Sequence, residues 1–319
     1  MIDHKNGLNL LVSSNYIDSK LCNDMDRGGD HDLTVGLTPI WSYIFNNDDY
    51  FVPGRTDQML QHIPIIPMVL LNQSIGIGVG YSTTIYPCNP IDVCNNIIRL
   101  INNEKPIPMD PWFRNFKGKI EKIDETKYVA KGLYEIVDEY TIHITELPTD
   151  ISVNNYLKFI NELMKERDFI DSYTEKCTNN QINIAIKLIE PIKHYDLGLI
   201  EKNLRLVSVI NLNNMCLIDT NCKIKKYHSY NDILQDFFNY RLPIYQNRKD
   251  FLLEKSEKKI KFINQRLNMV NYPHEINYYI NEANILNNQI SKLKSSTIQD
   301  LWTEDLKKFM EAYKNLIII

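Results

Sequence analysis

The chain has 319 residues, 44% of them hydrophobic, and a net charge of −4, as in folded globular proteins. Domains of about 150 residues are common, so this length predicts two domains or three short ones. Scarce glycine excludes a collagen-like chain, and apolar runs shorter than about 18 residues predict no transmembrane helix. The N-terminus lacks a signal-peptide pattern and the six cysteines form no Cys-x-x-Cys pair, which predicts reduced thiols in the cytosol or nucleus.

The N-terminal part of the chain shows one clear helix and one glycine-containing loop. Residues 90–101 place apolar side chains at helical spacing behind an Asn-Pro start, which predicts an amphipathic helix. Residues 73–84 contain Gly76, Gly78 and Gly80, and we predict a tight loop there that lets the backbone approach a ligand or another chain. The loop lacks both the GxGxxG register and a P-loop lysine, so it predicts no nucleotide site.

The middle of the chain is rich in strands. Alternating or β-branched residues at 119–123, 127–132 and 141–147 predict one small antiparallel sheet. A helix at 153–165 and further strands at 181–188, 215–219 and 223–227 are predicted from their periodicity.

The chain becomes helical after residue 231. Pro243 is predicted to interrupt the first helix, which resumes to about residue 270, and further helices are predicted to residue 295 and over 300–315. Two long polar helices joined by a tight turn predict an antiparallel hairpin. The sequence therefore divides into three parts, residues 1–115, 116–230 and 231–319.

Charge is unevenly distributed along the chain. Residues 222–268 contain eleven Lys and Arg against five Asp and Glu, so this segment is a candidate phosphate-facing surface. The alternative, a solvated helix face, is favoured on charge alone. Asp24, Asp26, Asp30 and Asp32 alternate with other residues and suit an exposed acidic loop better than a Ca²⁺ or Mg²⁺ site, because the EF-hand glutamate and flanking helices are missing. We assign no metal ligand.

Several motifs in order resemble the cleavage core of eukaryotic-type type IIA DNA topoisomerases. They are residues 63–72 (IPIIPMVLLN), 76–85 (GIGVGYSTTI), 105–118 (KPIPMDPWFRNFKG), 142–148 (IHITELP), 232–242 (DILQDFFNYRL), 245–249 (YQNRK) and 300–306 (DLWTEDL). The resemblance covers nearly the whole chain. It implies an α+β fold with a winged-helix remnant over residues 1–115, a small β-rich tower domain over 116–230 and a long antiparallel helical hairpin over 231–319.

The resemblance also implies a function. In this family a dimer bends double-stranded DNA, a tyrosine from each protomer attacks a phosphate with the help of an arginine and Mg²⁺, and an ATPase domain drives a second duplex through the break. An isoleucine is wedged between base pairs, and Ile85 occupies its place. Lys117, Arg241, Arg248 and Lys249 then become candidate phosphate contacts.

The catalytic positions depart from the family pattern. Counting forward from residues 9–11 (NLL) and back from 37–40 (LTPI) places Asp32 at the tyrosine position and His31 at the arginine position. A carboxylate at residue 32 repels the phosphate, so no catalytic residue is intact. Tyr43 is a weaker candidate for a substitute nucleophile.

Other parts of the family's machinery are missing from this sequence. The Mg²⁺- and ATP-binding domains lie outside it, and residues 271–274 stand where the family inserts the globule that closes the dimer's exit gate. Three hypotheses stay open: a cleavage-core fragment acting with a second copy or with a complete topoisomerase protomer, a DNA-binding architectural module without chemistry, or a truncated gene product. The resemblance implies a nuclear protein, or a cytoplasmic one if its source is viral or prokaryotic, and no membrane partner.

Overall fold

A computed structural model describes residues 8, 11–13, 35–45, 63–78, 80–166, 169–178, 181–219, 221–269 and 272–317. Helices and antiparallel strands are both abundant in these ranges, which confirms the predicted α+β class.

In the described ranges the α-helices are α1 (Trp41–Ile44), α2 (Pro90–Ile101), α3 (Val153–Glu166), α4 (Leu197–Asn203), α5 (Tyr230–Leu267), α6 (Pro273–Ser295) and α7 (Ile298–Ile317). The strands are β1 (Leu11–Ser13), β2 (Val35–Leu37), β3 (Ser74–Gly78), β4 (Tyr81–Ile85), β5 (Lys119–Lys122), β6 (Lys127–Lys131), β7 (Leu133–Ile136), β8 (Thr141–Glu146), β9 (Ile170–Glu175), β10 (Ile184–Leu188), β11 (Val207–Asn211), β12 (Met215–Ile218) and β13 (Ile224–Tyr227).

The chain divides into two compact units made of discontinuous segments. The β-rich unit comprises residues 1–38, 69–89 and 109–230, and it holds every strand named above together with α3 and α4. The helical unit comprises residues 39–68, 90–108 and 231–319, with α1, α2, α5, α6 and α7. The division into three domains stays a prediction.

The main core of the β-rich unit lies under a four-stranded antiparallel sheet in the order β7-β8-β10-β9. Strand β8 alternates as predicted, with Ile142 and Ile144 wholly buried, and α3 contributes the buried Tyr156 to the same cluster. The prediction of a single sheet over residues 119–147 is wrong. Strands β5 and β6 pair with β11 in a separate sheet, because the long-range partner strand, which periodicity does not reveal, decides sheet membership.

The predicted glycine loop is a β-hairpin. Strands β3 and β4 pair from Ser74 opposite Ile85 to Gly78 opposite Tyr81. Gly80 in the turn has φ +80°, a left-handed conformation that favours glycine. The prediction of a loop over residues 73–84 is therefore wrong, because glycines inside strands hid a period-two pattern.

Helix α5 runs through Pro243 without a break, so the predicted interruption is wrong. A proline costs the helix one backbone hydrogen bond. Buried side chains hold the helix on both sides of this position, Leu234 before it and Ile244 and Tyr245 after it. Tertiary packing offsets the local preference.

The predicted antiparallel helical hairpin is confirmed by contacts between α5 and α6. Lys249 reaches the carbonyl of Ser296, while farther along α5 Lys259 pairs with Glu282 at 2.8 Å. On α6, buried and half-buried apolar side chains recur at alternating spacings of three and four, as in a coiled coil, at Ile276, Tyr279, Ala283, Leu286 and Ile290. No helix in the described ranges is long and apolar enough to cross a membrane.

Candidate nucleic-acid interface

Two hairpins of the β-rich unit lie side by side, β3–β4 and β12–β13. The Thr84 amide donates to the carbonyl of Asn214 at 2.8 Å, and the Cys216 amide donates to Oγ1 of Thr83 at 2.9 Å. The Asn214 side chain also donates to Oγ of Ser82 at 2.9 Å. These bonds fix β12 against β4, so the two hairpins present a continuous surface.

The β12–β13 hairpin carries a row of exposed cations. Lys223, Lys225 and Lys226 are all exposed, and the Lys225 ammonium lies 5.0 Å from the ring centre of Tyr227. These lysines belong to the basic segment recognised in the sequence, but the sequence alone did not single them out. The signal that could have found them is the alternation of 223–227, which ends in a buried tyrosine.

Ile85 ends strand β4, and its side chain is wholly buried. It stands opposite Ser74 in the hairpin and directly before Tyr86 and Pro87. A wedge must leave this buried position before it can enter a base step. The assignment of Ile85 as a DNA wedge stays a prediction.

Lys117 is exposed on a segment tied to the residues that follow Ile85. The Trp112 amide donates to the Pro87 carbonyl at 2.8 Å. The Lys117 amide donates to Oε2 of Glu146, a carboxylate only 3% exposed, at 3.4 Å. A Cβ on Gly118 would lie 2.1 Å from the Lys131 carbonyl oxygen, so only glycine permits this close approach. The backbone of Lys117 is therefore fixed while its ammonium group reaches solvent.

Buried tyrosines support the same region. The Tyr128 hydroxyl donates to Asp110 at 2.6 Å, and burial followed by this carboxylate raises the pKa of Tyr128. Burial also raises the pKa of Tyr230, and burial with nearby Asp150 raises that of Tyr86. These phenols stay protonated at neutral pH, so they serve as structural groups and not as nucleophiles.

The other predicted phosphate contacts lie on α5 in the helical unit and hold internal groups. Arg241 is wholly buried, with its guanidinium 4.8 Å from the ring centre of Tyr245. Arg248 pairs with Asp305 of α7 at 2.6 Å, and the Tyr245 hydroxyl donates to the same oxygen at 2.9 Å. Lys249 donates to the carbonyl of Ser296 at the C-terminal end of α6 at 2.6 Å.

Of the residues predicted around the nucleophile, only Tyr43 lies within the described part of the chain. It belongs to α1 and is 41% exposed. The next residue, Ile44, accepts a hydrogen bond from the Ile65 amide at 2.9 Å, and the Ile65 carbonyl accepts one from the buried Trp302 indole at 3.0 Å. His31 and Asp32 lie outside the described residues.

A family profile decides what this arrangement belongs to. The profile of the gyrase and topoisomerase IV A subunits, described as DNA gyrase/topoisomerase IV, matches residues 50–316. The chain belongs to the type IIA DNA topoisomerase family. The matched range includes both hairpins, Lys117 and the helical hairpin, so it is the breakage–reunion region of this family that the chain represents.

Individual topoisomerases agree with this assignment. The chain is 32% identical over 372 residues to DNA topoisomerase 2 of Acanthamoeba polyphaga mimivirus, covering 95% of this chain and 29% of that protein. It is 34% identical to DNA topoisomerase 2 of Meyerozyma guilliermondii, covering 83% of this chain and 19% of that protein. The chain therefore spans less than a third of these relatives' length.

A solved topoisomerase structure has the same fold. The DNA-binding, cleavage and re-ligation domain of Plasmodium falciparum topoisomerase II matches with a TM-score of 0.85 and 25% identity, covering 98% of this chain and 54% of that one. The predicted resemblance is confirmed at the level of sequence and of fold.

Type II topoisomerases generally use Mg²⁺ and ATP, which raises the question of a metal site in this chain. Among the described residues no three His, Cys, Asp or Glu side chains cluster closely enough to hold a metal ion. The acidic residues 24–32 lie outside the described ranges. We therefore derive no step through a metal ion bound to this chain.

Proposed function

We propose that this chain is the DNA-gripping section of a type II topoisomerase cleavage core, which binds and bends double-stranded DNA for strand passage. The observation that carries the proposal is the row of exposed lysines on the β12–β13 hairpin, beside the β3–β4 hairpin that ends in Ile85. Lys117 adds a further exposed cation in the same unit. Lysine contacts to phosphates give affinity without sequence selectivity, as strand passage requires.

The proposal gives the basic residues of α5 a supporting role. Arg248 and Arg241 already contact buried groups in the helical unit, so they hold α5 and α7 in place. Contact between these side chains and DNA would first break those interactions. We therefore place the principal phosphate contacts at Lys117, Lys223, Lys225 and Lys226, and rank the α5 residues below them.

Ile85 is proposed to act after binding. Bending the duplex would draw the side chain from its buried position into an unstacked base step, where the added contacts offset the unstacking cost. Ile85→Ala is then expected to weaken DNA bending more than DNA binding. Fluorescence energy transfer between the two ends of a labelled duplex reports the bend, and a gel-shift titration reports the affinity.

A second candidate is DNA binding without chemistry. The feature that favours it is the placement of Asp32 at the position of the nucleophilic tyrosine in our alignment. A carboxylate cannot form the phosphotyrosine linkage, and its charge repels the phosphate. A cleaving enzyme would instead need a different tyrosine, for which exposed Tyr43 is the candidate, together with Mg²⁺, ATP and either a second copy or a complete topoisomerase protomer.

Salt-dependent DNA binding tests the interface. The triple variant Lys223→Ala, Lys225→Ala, Lys226→Ala is expected to weaken binding and to flatten the dependence of log K on log salt by about 0.9 per lost phosphate contact. The matched control replaces Lys255, Lys258 and Lys261, three exposed lysines of α5, by alanine. Equal effects of the two triple variants would refute the proposed interface.

Covalent trapping decides between the two candidates. The protein is incubated with labelled supercoiled plasmid and Mg²⁺, denatured with SDS, and examined for DNA linked to protein. We expect no adduct alongside retained binding on a native gel. An adduct that Tyr43→Phe abolishes would assign cleavage to Tyr43, and one that persists would show that the alignment at Asp32 is wrong.

A further inference from the structure

The turn between β7 and β8 exposes apolar side chains in a part of the β-rich unit that the proposed DNA interface does not use. Ile136, Val137 and Tyr140 are 48%, 63% and 37% exposed. Ile189, just after β10, is 47% exposed. Together these four residues form what we call the β7–β8 patch. Grouped exposed apolar side chains of this size commonly mark a protein interaction site.

The patch is held in one shape by backbone hydrogen bonds. Oδ1 of Asp138 accepts the amides of Tyr140 and Thr141, each at 2.8 Å, and these bonds lower the pKa of Asp138. The Tyr140 carbonyl accepts the Leu188 amide at 2.8 Å, which brings Ile189 beside the turn. A second bond joins the Glu139 carbonyl to the Ile192 amide at 2.7 Å. A preorganised surface loses little conformational entropy when a partner binds.

The charges around the patch are mainly acidic. Exposed carboxylates surround the apolar residues, at Glu135, Asp138, Glu139 and Glu190. The neighbouring bases are Lys187, which pairs with Asp171 at 3.1 Å, and Lys193, while Glu190 lies 3.8 Å from His194. An excess of carboxylates repels a phosphate backbone, so this face is unsuited to DNA.

We propose that the β7–β8 patch docks a peptide segment of a partner protein that carries both basic and apolar side chains. The apolar residues of such a segment would cover Ile136, Val137, Tyr140 and Ile189, and its lysines or arginines would meet the surrounding carboxylates. Apolar contact supplies most of the affinity in this arrangement, and charge complementarity selects the partner and speeds association. The site is separate from the proposed DNA interface and does not depend on it.

Peptide titration tests the proposal on the full chain. The probe is a short fluorescein-labelled peptide of alternating lysine and leucine, and fluorescence anisotropy reports its binding. The double variant Val137→Ser, Ile189→Ser is expected to weaken binding about tenfold or more. The matched control, Val209→Ser with Ile123→Ser, changes equally exposed apolar residues of the same unit and should bind as the unaltered chain does.

Two further measurements identify the occupant. A peptide with glutamate in place of lysine should not bind, whereas equal binding of both peptides would show unselective apolar adhesion. Equal affinity of both double variants, or no binding by the unaltered chain, would overturn the proposal. Light scattering that shows self-association removed by Val137→Ser, Ile189→Ser would assign the patch to a second copy of this chain instead.

Discussion

The two units use their basic side chains in opposite ways. In the β-rich unit, Lys117 and the lysines of the β12–β13 hairpin present their ammonium groups to solvent on rigid backbone. In the helical unit, Arg241 is wholly buried and the Arg248 side chain is only 11% exposed. The sequence marked both groups as phosphate contacts. A cation in a basic segment can bind an external anion or complete an internal network, and only its neighbours decide which.

The internal network of the helical unit has a clear chemical reason. Arginine forms short hydrogen bonds to carboxylates and packs flat against aromatic rings, so it suits a buried pair better than lysine does. Arg248 and the Tyr245 hydroxyl share one oxygen of Asp305, and the Tyr245 ring stacks on Trp302 with centres 5.3 Å apart. This cluster joins α5 to α7.

The largest expected effect comes from breaking that cluster. Asp305→Ala should lower the free energy of unfolding by about 3–5 kcal/mol, because it leaves the buried Arg248 charge without its carboxylate. Chemical denaturation monitored by circular dichroism measures the loss. Tyr245→Phe is the control and should cost about 1 kcal/mol, since it removes one hydrogen bond. An unchanged midpoint for Asp305→Ala would mean that the helical unit's basic residues are free for DNA after all.

A smaller effect tests the burial of Ile85. Ile85→Val should lower the free energy of unfolding by about 1 kcal/mol, because it removes one methylene group from a packed site. Ile75→Val, at a position 62% exposed on the neighbouring strand, should leave stability nearly unchanged. Urea denaturation compares the two variants. The same small cost for both would mean that Ile85 is exposed without DNA and needs no rearrangement to act as a wedge.

The smallest effect concerns an exposed ion pair of the β-rich unit. Hydrogen bonds from Lys119 and then Lys131 lower the pKa of Glu121 to about 2. Because the folded-state pKa is lowered, the stabilisation is present above the ordinary glutamate value of 4.5 and is lost as the pH falls from there toward 2. An NMR titration should show Lys119→Met raising the Glu121 pKa toward its ordinary value. No change on this substitution would show that the pair does not form in solution.

Periodicity predicted the elements that bury one face and missed those whose character depends on partners. The apolar spacing of residues 90–101 gave α2, and the alternation of β8 was recognised because one side of each element faces a core. Strand β3 contains two glycines and exposes Ile75 and Ile77, so its pattern resembled a loop. Pro243 predicted a break that packing on α5 suppresses.

The candidate site shows the same limit. The sequence located Lys117 by its motif, and the structure leaves it exposed in the unit that also holds Ile85. The lysines of the β12–β13 hairpin were visible only as part of a long basic segment. Their common exposure depends on Tyr227 being buried, and β12 is placed by hydrogen bonds to β4 from residues about 130 positions earlier in the chain.

The sequence by itself determined the family, the α+β class and the helical hairpin, because ordered motifs and local periodicity are written in consecutive residues. Tertiary structure alone decided which cations face solvent, where Ile85 lies and which strands share a sheet. Burial and hydrogen bonding depend on residues far apart in the chain, as the bond from Trp302 to Ile65 shows. A linear pattern carries no record of those partners until the chain has folded.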